Sequence, residues 1–266
     1  DNYTVYFANS GAEANEAAIK LARLATGKST IISFTQSFHG RTYGAMSATG
    51  QDSIHSGLPM LTGFKYANFN VIDSVAALID DDTAAIMLEL VQGEGGVFPA
   101  NQEFISALVK LAQRHNILII VDEVQTGMGR TGTKFAYMNY QFEPDIVTSA
   151  KALANGLPVG AMLAKNHLAN ALSYGTHGST FGGNPLVMSA AQATLSVLDD
   201  VLPTLQPKID IFWEKLAAIA ALSVVSEVRG LGMMAGIALE APVKDVVSDL
   251  LDEHIIVLSA GQNTLR

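Results

Sequence analysis

Short unbroken apolar runs alternate along the chain with segments whose apolar residues recur every third or fourth position. Such runs predict buried strands, and the helical spacing between them predicts crossover helices, so the pattern is that of a largely parallel sheet. The strands expected are Val5–Ala8, Thr30–Phe34, Ala84–Leu88, Leu118–Asp122, Ile146–Ser149 and Val159–Ala164. Helices are expected over Ala12–Ala25, stopped by Gly27 at the C-cap position, and over Gln102–His115. From Pro185 the texture changes. Leu186–Leu198, Ile209–Ala221 and Val243–Glu253 read as helices, and Val224–Val228 and Met234–Leu239 as strands. This predicts a large α/β domain over residues 1–200, joined through a long helix to part of a smaller α/β domain over 201–266. The boundary is expected near Asp199 to Pro203.

Two of the expected strands end in chemistry. Ile117–Val121 runs into Asp122-Glu123-Val124-Gln125, and Ile146–Ala150 delivers Lys151. Strands ending side by side would put this acid and this amine at the carboxyl edge of one sheet, where open α/β folds bind ligands. An acid opposite a cationic ring nitrogen and a lysine able to bond an aldehyde are what pyridoxal phosphate requires. Taken alone, Lys151 reads as an ordinary surface lysine at a strand end, and the surrounding residues overturn that reading.

Composition narrows the classes. Hydrophobic residues make up 49% of the 266, and only 15% are charged, which favours a packed core over disorder. No apolar run approaches the length of a membrane span. A net charge of −9 argues against a nucleic-acid surface, and the lack of cysteine excludes disulfides and thiol catalysis. The lack of cysteine fits a cytoplasmic protein. The chain starts almost at once on a strand-like run and ends on Asn263-Thr264-Leu265-Arg266, which resembles the opening of another, so it is expected to be an excerpt.

Other segments each carry two readings. Asn9-Ser10-Gly11-Ala12-Glu13 opens a helix, where free N–H groups hold an anion or Ser10 simply caps. Phe38-His39-Gly40-Arg41-Thr42 offers an aromatic face and a guanidinium for a carboxylate, or a core ring beside a surface cation. Glu89-Leu90-Val91-Gln92-Gly93-Glu94-Gly95-Gly96 puts acids on a glycine-rich turn, for a ligand or for solvent. Gly178-Ser179-Thr180-Phe181-Gly182-Gly183-Asn184-Pro185 is either a phosphate loop or a turn. Gly127-Met128-Gly129-Arg130-Thr131-Gly132 matches the dinucleotide fingerprint in letters, but no amphipathic helix follows it and the fitting acid is missing. The histidines have no HExxH spacing and no G-x-S-x-G occurs, which disfavours zinc and serine-hydrolase chemistry.

In this order and wording, the segments at 9–15, 38–42, 92–96, 122–127, 150–151 and 178–185 resemble the class III aminotransferases, fold-type-I pyridoxal phosphate enzymes, over essentially the whole chain. The resemblance implies a mostly parallel central sheet flanked by helices and transfer of a distal amino group to 2-oxoglutarate. The implied donor is N-acetylornithine or a close relative, in arginine biosynthesis, with ornithine, succinyl-diaminopimelate and 4-aminobutyrate as alternatives. It implies that Lys151 holds the cofactor covalently, that Asp122 pairs with the ring nitrogen, and that Gln125 reaches the ring's phenolic oxygen. Phe38 would stack on the ring. Ser10, Gly11 and Ala12 would hold the phosphate, with Thr180 reaching over from a second copy in a homodimer. Arg41 would grip the donor's carboxylate, and Arg266 that of 2-oxoglutarate, with Glu94 as its gate. Leu90 stands where the family usually has proline and Ala152 where it has glycine, neither of which carries a functional group. Family members extend beyond both ends, so a non-catalytic fragment is the rival expectation.

Overall fold

Alternate residues of the strands face opposite layers. In a computed structural model that describes residues 2–266, Ile32, Phe34, Ile86, Leu88, Ile119 and Val121 pack in one cluster with Phe104, Ile105 and Leu108 of the helix Gln102–His115. Their neighbours Ile31, Ala85, Met87 and Ile120 pack on the other face with Ala17, Ala18 and Leu21 of the helix Gly11–Thr26. Period two thus feeds two cores, and the strands read as unbroken apolar runs because both faces are covered.

The strands are β1 (Tyr3–Ala8), β2 (Thr30–Phe34), β3 (Phe64–Ala67), β4 (Thr83–Leu88), the short hairpin β5 (Val91–Gln92) and β6 (Phe98–Pro99), then β7 (Leu118–Asp122), β8 (Ile146–Ser149) and β9 (Gly160–Lys165). Seven of them form one sheet in the order β1-β9-β8-β7-β4-β2-β3. Neighbours from β8 through β3 run parallel, while β9 is antiparallel to both β8 and β1. The expected sheet is therefore present with one reversed strand. β3 carries no apolar run; Lys65 sits in its middle and pairs with Asp80 at the surface.

The first helix stops where expected. Gly27 takes φ 67°, and its N–H bonds Arg23 O at 2.9 Å, a left-handed cap that costs glycine nothing. Near the expected domain boundary the chain does not open into a loop. The helix Pro185–Val201 passes through a tight turn, Leu202–Thr204, straight into the helix Leu205–Ala220. Pro203 is tolerated in that first turn because no helical bond needs its N–H. Beyond it, β10 (Val225–Leu231), β11 (Met234–Leu239), β12 (Ser259–Ala260) and β13 (Thr264–Leu265) form an antiparallel sheet in the order β10-β11-β13-β12. Trp213 Nε1 donates to Gly232 O at 2.8 Å and ties the helix to the β10–β11 turn. Several contacts tie this sheet to the β5–β6 hairpin and its turn, among them the Gly261 N–H to Glu94 O at 2.9 Å. Arg229 donates to Gly96 O and lies 3.8 Å over the Phe98 ring, and Arg266 reaches Glu94.

Candidate active site

Residues 122 and 151 meet at one edge because β7 and β8 are parallel and in register. Val121 faces Val147 and Asp122 faces Thr148, so both strands leave the sheet on the same side. Lys151 follows at once in left-handed backbone, φ 46°, which costs a residue with a side chain roughly 1–2 kcal/mol and marks an enforced turn. Both side chains line a cavity of about 420 Å³, together with Ser10, Gly11, Ala12, Phe38, His39, Glu89, Glu94, Val124 and Gln125. That volume is ordinary for a small-molecule site.

Asp122 is 3% exposed and densely partnered. Its Oδ2 accepts from Asn15 Nδ2 and stands 2.8 Å from His39 Nδ1, while Oδ1 accepts from the Val124 N–H at 3.0 Å. Asn15 also accepts from Thr148 Oγ1 at 2.7 Å and donates to His39 O. A helix residue, a loop residue and two adjacent strands therefore converge on one carboxylate. His39 Nε2 is buried with no hydrogen-bond partner among the described residues.

A second chain of contacts runs outward from the amine. With its amide turned to suit its neighbours, the Gln125 oxygen accepts from Lys151 Nζ at 3.0 Å and from Arg266 Nη1 at 3.2 Å. Arg266 Nη1 also donates to Glu94 Oε1 at 2.8 Å. Solvent reaches Lys151 through the open cavity, yet the surrounding protein lowers the amine's pKa by desolvation. Asp122, Glu89 and Glu94 oppose that shift and Arg266 adds to it. Burial raises the Glu89 carboxyl to about 7, with His39 pulling it down and Asp122 pushing it up.

At the other wall, the helix Gly11–Thr26 points its N-terminus into the cavity. Ser10 Oγ accepts from the Glu13 N–H, and Glu13 in turn accepts from the Asn9 N–H and Nδ2. The capping reading of this segment is observed, and the cap leaves the first-turn N–H groups of Gly11 and Ala12 without helical partners. Gly11 is needed for close approach, because a Cβ there would sit 2.7 Å from Val124 Cγ1. A lysine, a buried carboxylate, apolar walls from Phe38 and Val124, and a helix N-terminus suit an aromatic aldehyde that carries a phosphate.

Three expected residues lie outside this lining, and of these Arg266 meets it through Gln125 and Glu94. Arg41 is exposed at the rim, its guanidinium 5.8 Å from the Phe38 ring centroid. Thr180 is exposed and lines a separate hollow with Tyr6, Glu13 and His177, while Asn184 of the same loop caps the following helix through the Val187 N–H. The fingerprint at 127–132 folds as turns; Met128, Gly129 and Gly132 take positive φ, and a Cβ on Gly129 would meet Leu198 at 2.9 Å. Asn15, His39 and Glu89 lie within the motif segments but carry no role of their own in the motif reading. Asn15 alone had a usable signal, as a polar residue between Ala14 and Ala17 on the buried side of the helix.

Comparison with known proteins agrees along the whole length. The family described as Aminotransferase class-III matches residues 1–266. An acetylornithine aminotransferase of Streptococcus mutans is 52% identical, covering 100% of this chain and 71% of its own. That of Bacillus subtilis is 50% identical, with coverages of 98% and 69%. Among solved structures, the ornithine aminotransferase of Toxoplasma gondii matches at a TM-score of 0.93 and 30% identity, over 98% of this chain and 66% of its own. The N-acetylornithine aminotransferase of Stenotrophomonas maltophilia matches at 0.82 and 36%, over 98% and 68%. The chain therefore spans roughly 70% of the curated relatives' length.

Proposed function

The chain belongs to the class III aminotransferases, enzymes that depend on pyridoxal phosphate, and from that premise we propose that it moves the distal amino group of N-acetylornithine to 2-oxoglutarate, in arginine biosynthesis. The observation that carries the reading is the approach of Lys151, Gln125, Arg266 and Glu94 in one hydrogen-bonded line beside the buried Asp122. The donor is supported by relatives of that name at about 50% identity. The cofactor, when bound, supplies an electron sink for the C–H bond beside the nitrogen.

The residues divide the rest of the work. Lys151 is the amine that would bond the cofactor, and its side chain is placed to take up and return the C–H proton. Its lowered pKa favours the neutral, proton-accepting form. Asp122, braced by Asn15 and Val124, is the negative charge that keeps a ring nitrogen protonated. Gln125 suits the phenolic oxygen, Phe38 the ring face, and Ser10, Gly11 and Ala12 the phosphate. Arg266 is the acceptor's carboxylate site, closed by Glu94 when the donor is present, and Arg41 is the donor's. The homodimer, with Thr180 reaching a neighbouring copy's phosphate, is supported by the exposure of Thr180 away from its own cavity. The division into residues 1–200 and 201–266 rests on the second sheet and its own apolar cluster around Leu239, Val243 and Leu265. A cytoplasmic location agrees with the absence of cysteine.

The test is kcat/KM for N-acetylornithine, ornithine, succinyl-diaminopimelate and 4-aminobutyrate with 2-oxoglutarate as acceptor. N-Acetylornithine should lead; equal values across the donors sink the assignment. A protein that stays colourless after addition of the cofactor would favour the non-catalytic fragment instead.

A further inference from the structure

One acid in the cavity has no part in the scheme above. Glu89 leaves the end of β4, and only 5% of it is exposed. Its Oε1 accepts from the Phe38 N–H at 2.9 Å and its Oε2 from the Gly93 N–H at 3.4 Å. These donors belong to different loops. Phe38 lies three residues before Arg41, and Gly93 adjoins Glu94, the partner of Arg266. The second loop packs closely on the Gln125 side chain, whose end would meet a Cβ on Gly93.

We propose that Glu89 is a positioning residue that braces the loop of Arg41 against the loop of Glu94, the partner of Arg266, and thereby sets the preference for substrates with a second, distal carboxylate. The proposal rests on the transamination reading above and assigns one buried group to its specificity. The chemistry is that of a two-sided acceptor. A carboxylate can accept on both oxygens at once, whereas an amide offers one acceptor and one donor. Glu89→Gln therefore keeps size and shape but turns an N–H₂ group toward one of two backbone N–H groups. Aspartate, one methylene shorter, cannot span the same pair.

The test compares wild-type and Glu89→Gln holoenzymes with 2-oxoglutarate and with pyruvate, which lacks the distal carboxylate. Binding of glutarate, a dicarboxylate that does not react, is measured calorimetrically beside them. The ratio of kcat/KM for 2-oxoglutarate over pyruvate should fall about tenfold in the variant, as expected for one lost hydrogen bond to a charged group, with the loss in KM. Glutarate should weaken by a similar factor. Equal losses for both acceptors, or unchanged glutarate affinity, overturn the proposal. If the wild type transaminates neither acceptor, the functional reading has failed, and the glutarate comparison still judges the brace. Should the variant not fold, amide exchange in the wild type decides. The amides of Phe38 and Gly93 should slow together when glutarate binds, and a response confined to one loop refutes the coupling.

Discussion

Asn15 donates from Nδ2 to Asp122 Oδ2 at 2.8 Å, joining the first helix to the end of a strand 107 residues later. The same amide accepts from Thr148 on the adjoining strand, so one side chain sets the carboxylate's orientation against both β7 and β8. Replacing Asn15 with alanine removes a donor to Asp122 and strands the Thr148 hydroxyl. A stability loss of about 1–3 kcal/mol follows, the usual cost of a buried group left unpaired. Asp122→Ala should cost about a thousandfold or more in kcat, since each 1.4 kcal/mol is a factor of ten. Measured on stability alone, the double variant should lose less than the sum of the single losses, because both act on one group, and additive stability losses would contradict that coupling. An Asp122→Ala enzyme of near-normal rate would contradict the electron-sink role.

Lys151→Ala should abolish turnover while the cofactor still binds without a covalent link. Borohydride then fixes cofactor to the wild type only, and mass spectrometry of the treated proteins reads the difference. Cofactor fixed to the variant in equal amount would move the attachment elsewhere.

The rate at which Lys151 bonds added cofactor should rise with pH, with a midpoint below the ordinary lysine value, because desolvation disfavours the ammonium. The neighbours give this a sign. Arg266→Met removes a cation that depresses the amine, so the midpoint should move up. Glu94→Gln removes an anion that supports the ammonium, so it should move down. Stopped-flow absorbance against pH measures each shift, and a shift of either variant in the opposite direction rejects the electrostatic account.

Much of this arrangement is legible in the chain because strand ends are. Apolar runs that stop at Asp122 and Ser149 give the edge, and parallel pairing does the rest. The pair Glu89 and Glu94 is less legible. Both read as acids on one turn, and only tertiary packing buries the first and turns the second toward Arg266. His39 is hidden for a similar reason, since nothing in Phe-His-Gly-Arg says that its Nδ1 faces a carboxylate from 83 residues away. β3 escapes notice because an edge strand with Lys65 at its centre has no apolar period.

Stability should depend on pH through Glu123. It is 1% exposed, accepts from the Tyr137 N–H at 2.9 Å, and burial raises its carboxyl to about 7 from an ordinary value of 4.5. An acid with a raised folded pKa binds more protons folded than unfolded in this interval, so its contribution is full below about 4.5 and is lost as pH rises through about 7. Glu89, also raised to about 7, acts in the same sense, whereas His177, with a lowered value, opposes them. Glu123→Gln should flatten the pH dependence of Tm between pH 5 and 8, with a contribution on the order of 3 kcal/mol at most. Parallel Tm profiles for wild type and variant would count against the buried ionisation.

Glu16 should act on donor affinity without touching the reaction. Its Oε1 accepts from Thr42 Oγ1 at 2.6 Å, the Gly44 N–H at 2.8 Å and the Ala45 N–H at 3.1 Å. It thereby caps the short helix Tyr43–Ala48 from outside, and that helix begins two residues after Arg41. Gly44 is part of the fit, since a Cβ there would lie 2.2 Å from Glu16 Oε2. Glu16→Ala removes the acceptor for all three donors, and loss of a cap costs about 0.5–2 kcal/mol. The loop before the helix then loses its fixed end, and Arg41, proposed to hold the donor's distal carboxylate, loses its aim. KM for a carboxylate-bearing donor should rise roughly three- to tenfold with kcat nearly unchanged, each 1.4 kcal/mol being tenfold in binding. Glu16→Gln retains an amide oxygen at the same reach and should recover most of the affinity. A fall in kcat with KM intact would instead mean that the carboxylate acts on the reacting atoms, which its hydrogen bonds to the Tyr43–Ala48 helix give it no means to do.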